Sequence, residues 1–263
     1  MLVHLDLFSG IGGFALACEW AGIETIGFVE IDKYCQKVLR KHFPDVPIVE
    51  DIRDVEEDTF PKPDIITGGF PCQDISNANT TTKPKGLDGE RSGLWHEYKR
   101  LVSTIRPKYI IVENTSALLF RGIARVLGDL CEIGYDAEWK VISAQEIGAP
   151  HKRERVWIVA YPRGKFGVDR FIFPQNSRTS DAWNKDKEKW CVNRVFPKVG
   201  QEALPRLDIE WAKRYCNPDF LRISNGIPDQ LDRLKCLGNA IVPQVAYEII
   251  KVIADNEDNS LSN

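Results

Sequence analysis

The sequence has no excess of positive charge: 35 Lys and Arg stand against 38 Asp and Glu, a formal net charge of −3 with a pI near 5.9. A uniformly basic nucleic-acid binder is excluded, and any affinity for a polyanion has to come from uneven placement of charge. No C-x-x-C pair occurs, and the seven cysteines are odd in number and irregular in spacing. That pattern argues against a disulfide framework and against a zinc site, so reduced cytoplasmic thiols and no metal are expected. The N-terminus lacks an uninterrupted apolar stretch, since Asp6, Glu19 and Glu24 break it, and no run reads as long enough to span a bilayer. Neither secretion nor membrane insertion is expected. Internal repeats are absent as well. What is present is 43% hydrophobic residues over 263 positions, enough for one large domain plus a small one.

The charge is unevenly placed. Residues 163–235 carry 15 Lys or Arg against 10 Asp or Glu, leaving the remainder at −8. From residue 2 to about 160, short β-rich runs (2–8, 25–30, 64–67, 109–112, 155–160) alternate with helix-length amphipathic runs (13–20, 32–42, 94–105, 123–133). The alternation predicts an α/β fold with a doubly wound parallel sheet, whose ligands sit beyond the carboxyl ends of the strands. It stops near residue 163, where five prolines (Pro162, Pro174, Pro197, Pro205, Pro218) and nine aromatics begin an irregular stretch. Three segments are therefore expected: a catalytic and cofactor-binding domain over 1–162, a small irregular domain over 163–235, and a C-terminal motif with a helix over 245–253 that returns to the first domain within 236–263. The polar tail 255–263 reads as frayed.

Chemistry is concentrated in the strand-to-helix loops. The first strand runs into Asp6-Leu7-Phe8-Ser9-Gly10-Ile11-Gly12-Gly13, where small residues let the backbone turn tightly beside a ligand. Glu30 ends the second strand 20 residues after Gly10, the place of an acid that accepts hydrogen bonds from ribose hydroxyls. The pair suits NAD and S-adenosylmethionine equally. Gly68-Gly69-Phe70-Pro71-Cys72 follows a strand on the same edge, and a thiol after proline in a polar loop can serve as a nucleophile.

Taken in order, these motifs make the chain similar to the cytosine-C5 DNA methyltransferases, whose signature is a Pro-Cys dipeptide at this position. The resemblance covers residues 5 to about 250, with 163–235 unmatched. It implies a Rossmann-like S-adenosylmethionine-dependent methyltransferase sheet with a small target-recognition domain. Phe8, Gly10, Gly12 and Gly13 correspond to the first cofactor motif, Glu30 and Ile31 to the ribose edge, Asp51 and Ile52 to the adenine-contacting pair, and Pro71 and Asn239 to further cofactor contacts. Glu113-Asn114-Thr115 resembles Glu-Asn-Val, and His151-Lys152-Arg153-Glu154-Arg155 resembles Gln-x-Arg-x-Arg; Thr115 and His151 depart from those patterns.

The implied reaction adds the Cys72 thiolate to carbon 6 of a cytosine flipped out of duplex DNA, with Glu113 polarising N3 and the exocyclic amine and Arg155 meeting charge at O2. Arg153 joins the catalytic group or points toward the Cys72 loop or the DNA backbone. Residues 76–93 read as a polar element closing over DNA, and 163–235 as the region that contacts phosphates and base edges. The resemblance further implies a monomer and allows for a cognate restriction endonuclease. An RNA cytosine methyltransferase would carry a Cys-Phe-Thr signature, which is absent. A silent DNA-binding relative would not need Cys72, Glu113 and Arg155 together, and a dehydrogenase leaves Cys72 without a role.

Overall fold

The computed structural model describes residues 2–71, 94–147, 149, 152–165, 172 and 236–261. Cys72, His151, the expected closing element 76–93 and nearly all of 163–235 lie outside the described residues. Seven strands form one sheet in the order β3-β2-β1-β4-β5-β7-β6: β1 Val3–Leu7, β2 Glu24–Val29, β3 Ile48–Val49, β4 Ile65–Gly68, β5 Tyr109–Thr115, β6 Tyr135–Ser143 and β7 Glu154–Pro162. Among the described residues, α1 Gly13–Trp20, α2 Lys33–His42, α3 Leu94–Ile105, α4 Leu118–Arg121, α5 Ile123–Glu132 and α6 Pro243–Leu261 accompany them.

The central strands β1, β4, β5 and β7 are buried on both faces, and period-two alternation sorts their side chains into two cores. Ile66, Ile110, Val112, Val156 and Ile158 face α3 and α5, joined by Trp95, Tyr98, Leu101 and Val102. Ile65, Tyr109, Ile111, Trp157 and Val159 face α1 and α6, joined by Phe14, Ala17, Val245, Ile249 and Ile250. α2 starts sharply because Asp32 caps it, its Oδ1 accepting from the amides of Tyr34 (2.9 Å) and Cys35 (3.2 Å).

Strand order reverses at β1, whose neighbours are β2 on one side and β4 on the other. A crevice therefore opens at the carboxyl ends of β1 and β4, between the Phe8–Gly13 loop and the Gly68–Pro71 turn.

Three expectations need correction. The sheet is not wholly parallel, because β7 runs antiparallel to both β5 and β6. The cause is β6, a strand the sequence reading passed over: α5 leads into β6, which turns back directly into β7. The tail is helical through Leu261 rather than frayed from 255; Glu257 anchors it by accepting from Tyr109 Oη at 2.9 Å and Lys165 Nζ at 2.7 Å. Finally, the stretch Cys236–Glu257 is long and apolar enough on average to cross a membrane. Its apolar face is spent on the protein core, through Val245, Ala246, Ile249, Ile250 and Ile253.

Candidate active site

At the end of β1 the chain enters left-handed conformations at Phe8 (φ 55°), Gly10 (φ 54°) and Gly12 (φ 85°). Phe8 is the unusual one, because a Cβ disfavours that region. Ser9 pins the turn by donating its hydroxyl to the Asp6 carbonyl at 2.6 Å. Glu30 then clamps the loop to the second strand: its Oε2 accepts from the Gly10 amide and its Oε1 from the Asp32 amide, both at 2.7 Å. Each carboxylate oxygen has further lone-pair capacity for a sugar hydroxyl. Beside it Ile31 is 62% exposed, an apolar side chain turned largely outward. A side chain at Gly10 would meet no atom within 4 Å, so the loop borders open space. Backbone turn, buried carboxylate and exposed apolar side chain together fit a nucleoside cofactor.

The other expected cofactor residues are placed less uniformly. Asp51 is tied by Arg53, which donates Nε at 2.9 Å and Nη2 at 2.6 Å and holds the carboxyl below its ordinary range. The Ile52 side chain is packed into the core, so it offers no side-chain surface to an adenine. Asn239 lies exposed at the end of a short helical segment, 236–239.

The catalytic side is built by strand register. Thr115 on β5 pairs with Arg155 on β7, and Glu113 with Trp157. Glu113 and Arg155 are thus diagonal neighbours on one face, and Arg155 Nε meets Glu113 Oε1 at 3.0 Å. A parallel β7 would have carried Arg155 to the opposite edge of the sheet; the reversal brings its amino end to the carboxyl end of β5. Burial pushes the Glu113 carboxyl up to about 7, against the opposing pull of Arg155 and Arg153.

Two residues without an assigned role complete this corner. A Cβ at Gly69 would stand 3.0 Å from Glu113 Oε2, so the bare backbone lets the carboxylate approach the turn before Cys72. Asn114 donates Nδ2 to the Phe70 carbonyl at 3.1 Å, fixing that same turn. Both lie inside motifs legible in the sequence, but their roles depend on pairings between strands.

Arg153 is tied into the C-terminal segment while its charge still acts on Glu113. It donates Nη2 to the carbonyls of Gly238, at 2.9 Å, and Ala240. It thereby fastens the C-terminal segment to the corner that holds Glu113 and Arg155.

A second buried acid lies below the cofactor loop. Asp6 Oδ1 accepts from the Thr67 hydroxyl at 2.9 Å, and Thr67 Oγ1 is 2.7 Å from His4 Nε2. Burial pushes Asp6 up to about 8 and His4 down to about 3.

Residues 2–196 match the family described as C-5 cytosine-specific DNA methylase. The chain belongs to that family. It is 35% identical to the Type II methyltransferase M.HhaI of Haemophilus parahaemolyticus over 66% of this chain and 53% of that one. With M.NgoFVII of Neisseria gonorrhoeae the identity is 37%, over 76% of this chain and 54% of the relative. The chain thus spans about half the length of these curated relatives. With M.HaeII of Haemophilus aegyptius the identity is 28%, and 98% of this chain and 93% of the other are covered. Among solved structures, a DNMT2 mutant of Spodoptera frugiperda superposes with a TM-score of 0.63 at 15% identity, covering 96% of this chain and 99% of that one. The methyltransferase EhMeth of Entamoeba histolytica gives 0.63 at 17%, over 97% and 98%. These two likenesses concern the fold.

Proposed function

We propose that this member of the C-5 cytosine-specific DNA methylases transfers a methyl group from S-adenosylmethionine to carbon 5 of a cytosine flipped out of duplex DNA. The observation that carries this reading is the buried Glu113 carboxyl, paired to Arg155 at 3.0 Å and raised to about 7, beside the turn that leads into Cys72. A carboxyl near half-protonation at neutral pH can donate to cytosine N3 as the ring accumulates charge. Cys72 follows Pro71 directly and is the nucleophile in this reading. Its thiolate adds to carbon 6, Glu113 meets the charge moved toward N3, and Arg155 holds Glu113 in place and faces the developing charge at O2. Loss of the carbon-5 proton then expels the thiolate and restores the ring.

The cofactor's place in this scheme is the Phe8–Gly13 loop with Glu30 and Ile31: Glu30 takes the ribose hydroxyls and Ile31 covers an apolar ring. When bound, S-adenosylmethionine supplies an electrophilic methyl group. A stacked base cannot offer both faces to the protein, so it has to be extruded, at a cost of a few kcal/mol. Residues 163–235, with their basic and aromatic composition, supply target recognition.

Trapping tests the central step. Duplex DNA carrying 5-fluorocytosine lacks the proton whose loss frees the enzyme, so incubation with S-adenosylmethionine should leave a denaturant-resistant adduct. Cys72→Ser should leave none, because a serine hydroxyl is a far weaker nucleophile at neutral pH. An adduct with the serine variant overturns the assignment.

A further inference from the structure

Cys35 and Cys236 stand 201 residues apart in sequence, yet their sulfur atoms are 3.0 Å apart, and each residue is 5% exposed. Cys35 lies in the first turn of α2, just after Asp32, whose amide is bound by Glu30. Cys236 opens the segment whose carbonyls at Gly238 and Ala240 accept from Arg153. We propose that these two thiols form a redox pair, which closes to a disulfide under peroxide and staples the C-terminal segment to the first turn of α2, beside the Glu30–Asp32 edge of the proposed cofactor site.

With the Asp32 carboxylate within 4.8 Å, the three groups could be read as ligands for a metal. The geometry favours the disulfide. Zinc–sulfur bonds of ordinary length hold two thiolates roughly 3.8 Å apart across a tetrahedral centre, wider than the 3.0 Å between these sulfurs. Asp32 Oδ1, moreover, is already engaged with two amides of α2.

The step balances with hydrogen peroxide as oxidant. One thiol takes an oxygen from peroxide, giving a sulfenic acid and water; the second thiol attacks that sulfur, forming the S–S bond and expelling a second water. Two thiols lose two electrons and two protons, and the peroxide is reduced to water. A cavity of about 710 Å³ is lined by Val38, one turn beyond Cys35, and by Leu237, next to Cys236, so open space lies near the pair although neither thiol lines it. Burial and the neighbouring thiol push Cys35 well above the ordinary cysteine range, which keeps the resting pair reduced and slow to react. Once one sulfur is oxidised, its partner is already in contact, so the closing step is intramolecular.

Peptide mapping of the full chain by mass spectrometry without reductant, before and after peroxide, tests this. The expected product is one peptide joining Cys35 to Cys236, lighter than its two parts by two hydrogens and reversed by dithiothreitol. Cys35→Ser and Cys236→Ser should each lose the product. The mapping needs no variant, so a variant that fails to fold leaves the test intact. Thermal unfolding should rise by several degrees on oxidation of the wild type alone, since the bond closes a long loop. S-adenosylhomocysteine should bind several-fold tighter to the oxidised protein because two walls are pre-fixed; this effect rests on the cofactor reading above, and its absence would overturn the coupling alone. Free Cys35 and Cys236 after other thiols have been oxidised would overturn the pair itself. So would stoichiometric zinc that co-purifies with the wild type and is lost in Cys35→Ser.

Discussion

Of the acids buried at the carboxyl edge of the sheet, Asp6 on β1 and Glu113 on β5 make a pair worth comparing, with β4 between them. Both are raised by desolvation, Asp6 to about 8 and Glu113 to about 7. Their neighbours differ. Asp6 has a threonine hydroxyl and a further acid, Glu30, whose charge pushes it up. Glu113 has Arg155 in contact and Arg153 near by, and both pull it down. Burial alone keeps an acid neutral and inert under the cofactor loop, whereas burial offset by cations leaves one poised to exchange a proton in the working range.

Removing the cation tests this contrast most strongly. Arg155→Met should make Glu113 resemble Asp6, moving the basic limb of the kcat/KM profile up from near pH 7 by roughly 1–3 units. The rate at pH 7 should fall by about 10²–10³, since the carboxyl loses its orienting partner. A basic limb that stays near 7 would show that something other than Arg155 sets it.

Asp6→Asn works from the other side. The folded chain holds the Asp6 proton up to about pH 8, while the unfolded chain releases it near 3.8. The stability Asp6 contributes is therefore full below about pH 4 and is lost as pH rises toward 8, on the order of a few kcal/mol. Denaturant unfolding at several pH values should show a shallower decline between pH 5 and 8 for the asparagine variant. Equal slopes would mean that Asp6 is ionised in the fold.

The smallest effect is expected at Gly69. Gly69→Ala places a methyl group 3.0 Å from Glu113 Oε2, and Arg155 restricts how far the carboxylate can retreat. Single-turnover methylation should slow by roughly 3- to 10-fold, about 1 kcal/mol, with cofactor affinity unchanged; an unchanged rate would show that the carboxylate has room to move.

Much of the sheet was legible. β1, β2, β4, β5 and β7 are short apolar runs rich in Val and Ile, and their expected limits lie within a few residues of those observed. β6 was missed because it is the edge strand, and Asp136, Lys140 and other polar side chains interrupt its pattern. Missing β6 also hid the reversal of β7, since a direct crossover from α5 would have made β7 parallel. Glu113 and Arg155 were legible from motif order, but their contact was not, because it depends on that reversal. The anchoring of Arg153 was hidden for a different reason. Its partners are backbone carbonyls more than eighty residues away, and no residue type in the sequence marks a carbonyl acceptor. The Cys35–Cys236 contact is equally invisible at that separation.

The seating of α6 against α1 has a consequence in time. Trp20 meets Tyr247 edge to face at 6.0 Å, and a side chain at Gly13 would stand 2.6 Å from Ile241 Cγ1. Half of the core therefore consists of strands made early and a helix made late. During synthesis the faces of β4, β5 and β7 that carry Ile65, Ile111 and Val159 have only α1 against them, and their α6 side waits until residues beyond 243 emerge. Such long-range closure slows folding and leaves apolar surface exposed to wrong partners meanwhile. The nascent chain should thus depend on chaperone protection most heavily in the interval between the completion of β7 and the arrival of α6.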